Sequence, residues 1–214
     1  MRMNRIRIAA LAYCLLAITS GAAVLLIDAL VGNKFLPADK WARVRHHVYH
    51  HTLAPNVVAK DNWGGWYTLC TDGNGFKSDC HSPARKHFDI GIIGDSFTEG
   101  IGLPYEHTFV GMIANAHPEL TVANLGVVSY SPSIYLAKVR YLLSQGYTFK
   151  QVHVYVDISD IQDEAVEYVP QDNRVLSRGG RGLSMQLIEF GETMSETFPL
   201  CSNALNRIVK AIVW

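Results

Sequence analysis

FDIGIIGDSFTEG, residues 88–100, is the stretch of sequence that decides the fold of this chain. Its first six residues, from Phe88 to Ile93, are mostly apolar and β-branched, which is typical of a central strand in a parallel sheet. Gly94 then permits a turn too tight for a side chain. Ser96 is therefore predicted to lie where a strand passes into a helix, with its hydroxyl exposed at the sheet edge. Backbone N–H groups at a helix start can stabilise a developing oxyanion, so Ser96 is a candidate nucleophile.

The motif from Gly94 to Phe97, followed by Glu99 and Gly100, resembles the first motif block of the SGNH/GDSL hydrolase superfamily. The resemblance implies that Ser96 is the nucleophile and that Asp95 supports it. It also implies a three-layer α/β/α fold like that of flavodoxin. The alternative is a Gly-Asp-Ser turn that only caps a helix. The strand signal before the motif favours the nucleophile.

The part of the chain after Ser96 alternates strand and helix signals. Further strands are predicted at 121–125 and 152–156, and a helix is predicted to open at Ser131-Pro132 and to stop at Gly146. This alternation predicts an α/β domain over residues 86–214 with a doubly wound parallel sheet. Ligand sites in such sheets form at the carboxyl ends of the strands, so the polar residues there are expected to converge.

Two later motifs bear on the oxyanion site. Residues 124–127, Asn-Leu-Gly-Val, resemble the second SGNH block, which implies that the Gly126 N–H is an oxyanion donor; the alternative is a simple glycine turn. In the third block the family has Gly-x-Asn-Asp, whereas residues 157–160 are Asp-Ile-Ser-Asp. Ser159 takes the asparagine position, and its hydroxyl can still donate a hydrogen bond. The alternative for the acidic residues here is the start of a helix, whose dipole they favour.

The final block of the family, Asp-x-x-His, has no counterpart in this chain, because no histidine occurs after His153. The chain is therefore expected to be truncated before its catalytic acid and base. Residues 170–185 are predicted to form a polar loop, and residues 187–214 one or two amphipathic helices broken near Pro199. A serine without a base is a poor nucleophile, so at most weak esterase activity is expected. His50 or His51 is the most plausible substitute base.

The N-terminal residues 1–34 are predicted to form a membrane anchor. The run from Ile8 to Ile27 has no charged residue and is long enough to cross a membrane, and the expected membrane segment is residues 8–31. Arginines at positions 2, 5 and 7 place the N-terminus in the cytoplasm and the rest outside, on the periplasmic side. The alternative is a cleaved signal peptide with small residues at 20–23. The apolar run continues past these residues, which favours a single-pass anchor.

Residues 35–85 show no clean periodicity and are predicted to form an irregular lid. Cys70 and Cys80 flank strong turn residues and would lie in an oxidising compartment, so a disulfide is expected between them; the alternative is two free thiols. Parts of this segment, residues 49–56, 63–64 and 71–76, resemble the region before the GDS motif in membrane-anchored SGNH proteins of bacteria. The resemblance thus extends over most of the chain.

The histidine pairs at 46–47 and 50–51 stand four residues apart, so a helix would present both pairs on one face as metal ligands. No cysteine or carboxylate obviously converges with them, and histidines beside a membrane are often interfacial. The interfacial interpretation is favoured, and no metal is predicted.

Composition limits the function classes. Lys plus Arg and Asp plus Glu each number 19, so no excess of charge indicates a nucleic-acid partner. Two classes stay open, and neither needs a cofactor. The first, implied by the resemblance, is an extracytoplasmic ester hydrolase or O-acyltransferase that acts on acylated polysaccharide. The second is a non-catalytic carbohydrate-binding or assembly protein with a degenerate SGNH fold.

Overall fold

The structure is a computed structural model, and it describes residues 2–36, 38, 42–171, 174–177, 193–194 and 197–205. The chain divides into two units. The first comprises Met1–Leu36 with Glu189–Trp214, and the second comprises Pro37–Ile188.

The first unit contains one long helix, α1 (Arg2–Val31), followed by a 3₁₀ turn at Gly32–Phe35. Within α1, the 21 residues Leu11–Val31 form a helix long and apolar enough to cross a membrane, and their side chains are almost all exposed. The predicted N-terminal apolar helix is thereby confirmed.

Asp28 joins α1 to the C-terminal part of the same unit. Its buried carboxylate accepts the N–H of Leu200 at 2.9 Å and that of Cys201 at 2.7 Å. These N–H groups belong to the first turn of a helix at 199–205, whose first residue is Pro199. A helix therefore starts where the sequence predicted a break, while residues 187–192, 195–196 and 206–214 of the predicted helices lie outside the described part of the chain.

The second unit is mixed α/β. Its elements in chain order are β1 (Arg43–His46), β2 (His50–Leu53), β3 (Val58–Asn62), β4 (Trp66–Cys70), β5 (His87–Ile93), α2 (Ser96–Glu99), α3 (Phe109–Ala116), β6 (Val122–Asn124), α4 (Pro132–Ser144), β7 (Thr148–Val154), α5 (Ile158–Val166), β8 (Tyr168–Gln171) and β9 (Arg174–Ser177).

The central sheet has three parallel strands in the order β6-β5-β7. Ile92 of β5 is level with Asn124 of β6 and His153 of β7. Because the strands are parallel, their carboxyl ends lie along one edge of the sheet, which is where sites form in such folds. The predicted strand at 152–156 belongs to β7, which begins at Thr148 and ends at Val154.

Successive side chains of β5 point to opposite faces of the sheet, as in any strand. Ile93 packs in one buried cluster with Leu125 and with Ile134 of α4. Ile92 packs in another with Val110 of α3. The second half of the central strand is therefore buried on both faces, which explains why residues 90–93 are all apolar.

The segment predicted to be an irregular lid instead forms two antiparallel hairpins, β1–β2 and β3–β4. Leu53, Tyr67 and Leu69 from these hairpins are buried in the same cluster as Ile93. Each strand has only four or five residues, too few to show a periodicity in the sequence. The histidine pairs predicted as possible ligands on a helix lie on the β1–β2 hairpin, where His46 stacks on Tyr49 with ring centroids 3.5 Å apart.

The predicted disulfide between Cys70 and Cys80 is present, with the two Cα atoms 4.9 Å apart. The turn between them is organised by Asp72, whose Oδ1 accepts the N–H groups of Asn74 at 2.8 Å and Phe76 at 3.0 Å. This is the turn chemistry that the sequence indicated.

The polar loop predicted at 170–185 begins instead as the antiparallel hairpin β8–β9. The N–H of Val175 donates to the carbonyl of Val48 at 2.9 Å, which attaches this hairpin to the β1–β2 hairpin. Residues 172–173 and 178–185 of the predicted loop lie outside the described residues.

Candidate functional site

The turn after β5 places Ser96 at the carboxyl edge of the sheet. Gly94 must be glycine, because a Cβ there would lie 2.1 Å from Oγ1 of Thr98. Asp95 caps α2, and its Oδ1 accepts the N–H of Phe97 at 2.9 Å. Ser96 is the first residue of α2 and is partly exposed. The strand-to-helix position predicted for Ser96 is thus the position it occupies.

The hydroxyl of Ser96 donates to Oδ2 of Asp95 at 3.1 Å. Within the described part of the chain, no histidine forms a hydrogen bond with this hydroxyl. The arrangement therefore orients the hydroxyl without offering it a strong base. Asp95 does contact Ser96 directly, although whether it supports a reaction stays a prediction.

Gly126 lies beside the first turn of α2, two residues after β6. A Cβ on Gly126 would be 2.7 Å from the Thr98 side chain and 2.8 Å from the backbone N of Glu99. Its N–H donates to Oδ1 of Asn124 at 3.1 Å, and Nδ2 of Asn124 donates to the Thr98 carbonyl at 2.9 Å. The role of oxyanion donor therefore stays a prediction, and it requires the Gly126 N–H to exchange Asn124 for the ligand.

Ser159 lies in the first turn of α5, just beyond β7, and is exposed. Its hydroxyl and its N–H both donate to Oδ1 of Asp157 at 2.5 Å. These hydrogen bonds lower the pKa of Asp157. The hydroxyl of Ser159 is thus already in use, and its predicted role toward an oxyanion likewise stays a prediction.

Three carboxylates meet at this edge, those of Asp95, Asp157 and Asp160. One oxygen of each lies within 4.8 Å of the other two. Burial is the largest cause that raises the pKa of Asp160, and the charges of Asp95 and Asp157 add to it. Sequence reasoning expected the polar residues at the strand ends to converge, but it did not single out these three carboxylates as one group. The available signal was an aspartate after each of two predicted parallel strands.

Behind the turn, Glu99 of α2 is fully buried and binds groups from two other elements. Its Oε1 accepts from Nη2 of Arg43 in β1 at 2.7 Å, and its Oε2 accepts from the N–H of Val128 at 2.8 Å. Arg43 also lies 3.8 Å from Oδ2 of Asp61 in β3. This network ties the turn that carries Ser96 to both N-terminal hairpins, and nothing in the local sequence pattern predicted it.

His51 is connected to the same loop. Its Nε2 lies 2.7 Å from the Val128 carbonyl, and its Nδ1 lies 2.8 Å from Nδ1 of His50. A carbonyl only accepts, so we assign the proton of His51 to Nε2. Burial lowers the pKa of His51 to about 3, so the ring is neutral at pH 7 and its Nδ1 accepts from His50. His51 therefore has no nitrogen free to take a proton from Ser96 in this arrangement.

Comparisons with protein-family models, with curated protein sequences and with solved structures found no match to this chain. The resemblance to SGNH hydrolases therefore rests on the motifs and on the position of Ser96.

Proposed function

We propose that this protein is a serine ester hydrolase or O-acyltransferase of the SGNH type, with a doubly wound domain over residues 86–214 and an acyl-enzyme intermediate on Ser96. The observation that carries the proposal is the position of Ser96. Ser96 is partly exposed and begins a helix directly after a buried parallel strand, which is the position of the nucleophile in α/β hydrolytic enzymes.

The proposed location is the outer face of a membrane, with the N-terminus in the cytoplasm. Three arginines precede the apolar helix, which favours that orientation. The disulfide between Cys70 and Cys80 favours an oxidising compartment for the second unit. Acylated carbohydrate of the cell envelope is the proposed substrate class, and it follows from the resemblance to membrane-anchored SGNH proteins.

The proposed turnover is slow. Asp95 is the described hydrogen-bond partner of the Ser96 hydroxyl, and a carboxylate is a far weaker base than the alkoxide that must form. Removal of a triad histidine costs on the order of a million-fold in turnover, whereas an oxyanion site and substrate binding alone leave about a thousand-fold over water. Hydrolysis of an activated acetyl ester should therefore lie near the detection limit.

A covalent probe tests the nucleophile without a known substrate. The full chain, purified in detergent, is incubated with a fluorophosphonate, and modification is measured by mass spectrometry. We expect slow labelling that disappears in Ser96→Ala and persists in Ser144→Ala, which changes an exposed serine of α4. Labelling that persists in Ser96→Ala contradicts the proposal, and so does a wild-type chain that stays unmodified while a known serine hydrolase in the same tube is labelled.

The same observation favours a second candidate, a binding module that has the cleft but no triad. Ser96 bonded to Asp95 is a fixed hydrogen-bonding group that can recognise a ligand without chemistry. A separate groove of about 410 Å³ between α4 and β9 is lined in part by Arg140, Tyr141 and Arg174. Aromatic and guanidinium groups of this kind suit an anionic saccharide. Absence of labelling together with saturable saccharide binding would favour this candidate.

A further inference from the structure

The three carboxylates at the sheet edge each have a role in capping a helix, but capping does not explain why all three lie together. Asp157 and Asp160 form a capping box at the start of α5, and Asp95 caps α2. Capping explains why each helix begins with an aspartate. It does not explain why the caps of two different helices bring three acidic groups within 4.8 Å of one another.

Asp160 supplies a second and independent observation. Its side chain is fully buried, at 0% exposure. Its Oδ2 accepts from the Tyr135 hydroxyl at 2.7 Å and from the N–H of Asp157 at 2.9 Å. Its Oδ1 is buried and receives no hydrogen bond from the part of the chain that the structure describes. Buried carboxylate oxygens are normally satisfied by a donor, a water or a cation, so this oxygen points to a ligand.

Among the described residues, no positive side chain balances the three acidic groups. In the described ranges, no lysine or arginine forms an ion pair with Asp95, Asp157 or Asp160. Elsewhere in the same unit the buried acid Glu99 does have a cation, because Arg43 lies 2.7 Å from it. Like charges this close repel one another, and a bound cation removes the repulsion.

We infer that Asp95, Asp157 and Asp160 bind a divalent cation, with Ca²⁺ the best match. Carboxylate oxygens are the ligands of hard cations such as Ca²⁺ and Mg²⁺. Ca²⁺ takes such oxygens at about 2.3–2.6 Å and Mg²⁺ at about 2.0–2.1 Å. Oxygens that lie within 4.8 Å of one another can contact one such ion together. Ca²⁺ is the better match because its coordination is flexible and tolerates ligands that two helix caps hold in place, whereas Mg²⁺ demands near-ideal octahedral geometry.

The site adjoins the candidate nucleophile, because the Ser96 hydroxyl lies 3.1 Å from Oδ2 of Asp95. A cation beside a hydroxyl favours loss of its proton, and metal coordination is one recognised way to activate a nucleophile. This consequence rests on the proposed function, whereas the cation site itself does not.

Calorimetry with Ca²⁺ alone tests the site on the full chain in detergent. We expect one bound ion with a dissociation constant between about 0.1 and 1 mM, as in extracellular calcium modules. Tb³⁺ is a second probe, because Tyr135 is bonded to Asp160 and can sensitise the luminescence of a bound lanthanide. Added Ca²⁺ should quench that signal by displacement.

The variants Asp157→Asn and Asp95→Asn remove one charge each but keep an oxygen that can cap the helix. Each should weaken Ca²⁺ binding at least tenfold and keep the circular dichroism of the folded chain. Asp163→Asn, on α5 but outside the cluster, is the matched control and should bind as the wild type does.

Three results would overturn the inference. The first is the absence of both a heat of Ca²⁺ binding and a sensitised Tb³⁺ signal up to about 10 mM ion, which is ten times the upper end of the expected range of dissociation constants. The second is unchanged binding in both Asp157→Asn and Asp95→Asn. The third is an equal loss in Asp163→Asn, which would indicate unspecific surface binding. Ser96→Ala should still bind Ca²⁺, so failure of the cation site and failure of the proposed nucleophile are separate results.

Discussion

Replacement of Arg43 by methionine should destabilise the second unit strongly, because it leaves Glu99 charged and buried. The two groups are 2.7 Å apart, with side-chain exposures of 15% and 0%. At an effective dielectric constant of about 20, their attraction is about 6 kcal/mol before desolvation is subtracted. Loss of one partner of a buried pair costs about 3–5 kcal/mol. For a domain of this size that corresponds to a drop in melting temperature of about 6–20 °C.

The assay is thermal unfolding of the full chain in detergent, followed by tryptophan fluorescence. Lys150→Met is the control, because Lys150 is paired with Asp89 at 2.6 Å but is 80% exposed. Exposed pairs contribute at most about 1 kcal/mol, so this variant should melt within a few degrees of the wild type. Adding Glu99→Gln to Arg43→Met removes the stranded charge and should restore part of the loss.

The reasoning is refuted if Arg43→Met lowers the melting temperature no more than Lys150→Met does. It is also refuted if the double variant is less stable than Arg43→Met, because the stranded charge would then not be the cause of the loss.

Acidification should destabilise the protein through His51, because burial lowers the pKa of this residue in the folded chain to about 3. The unfolded chain binds a proton at His51 below about pH 6.5, whereas the folded chain does not, so the free energy of unfolding falls as the pH falls. From pH 7 to pH 5 this group alone should cost about 2 kcal/mol in urea unfolding, and an equal loss in His51→Gln would contradict the assignment. Denatured but unreduced protein should show two reactive thiols of the four cysteines, and Cys80→Ser, which opens the bridge to Cys70, should cost about 2–4 kcal/mol; four reactive thiols would show that the bridge is absent. Gly126→Ala should lower the free energy of unfolding by about 1–3 kcal/mol, because the new Cβ would overlap the first turn of α2. Gly65→Ala is the control and should leave the stability unchanged, because a Cβ there meets nothing within 4 Å. Similar stability of the two variants would show that the loop at Gly126 moves freely away from α2.

The strand and turn around Ser96 were predictable because their signals are local. A strand buried on both faces needs mostly apolar residues, and the close approach of Thr98 at the turn requires Gly94. The observed strand, His87–Ile93, begins one residue before the predicted one. The same local logic located Cys70 and Cys80, since turn residues between them bring the sulfurs together.

The N-terminal hairpins were not predictable for the opposite reason. Their strands are short, and polar residues on them are buried by partners far away in the chain. Asp61 is an example: its sequence context resembles a surface position, yet it is 1% exposed and its Oδ2 lies 3.8 Å from Nη2 of Arg43 on the other hairpin. Arg43 and Glu99 are 56 positions apart. A pairing of this kind becomes visible only when the hairpin packs on α2.

The carboxylate cluster lies between these two cases. The sequence placed Asp157 and Asp160 at the end of a strand, where they could be either the start of a helix or part of a site. Which other residues lie near them depends on the order of the strands in the sheet. The sequence does not fix whether β7 lies beside β5 or beside β6. Because β5 is the neighbour of β7, Asp95 is the third member.

A nucleophile at Ser96 requires both a fixed position for its hydroxyl and a base that accepts the hydroxyl proton. The structure provides the first but not a strong base. The buried contacts of Glu99 with Arg43 and Val128 fix the turn, so the position of the hydroxyl is well determined. The Ser96 hydroxyl, however, donates its proton in a hydrogen bond to Asp95, and a carboxylate is a far weaker base than the alkoxide that must form. If Ser96 is a nucleophile, its reactivity is therefore limited by the fate of this proton. The cation that we infer at the neighbouring carboxylates would favour loss of the Ser96 proton. It would leave the position of the hydroxyl unchanged, because the contacts of Glu99 lie behind the turn and the carboxylates lie at the sheet edge.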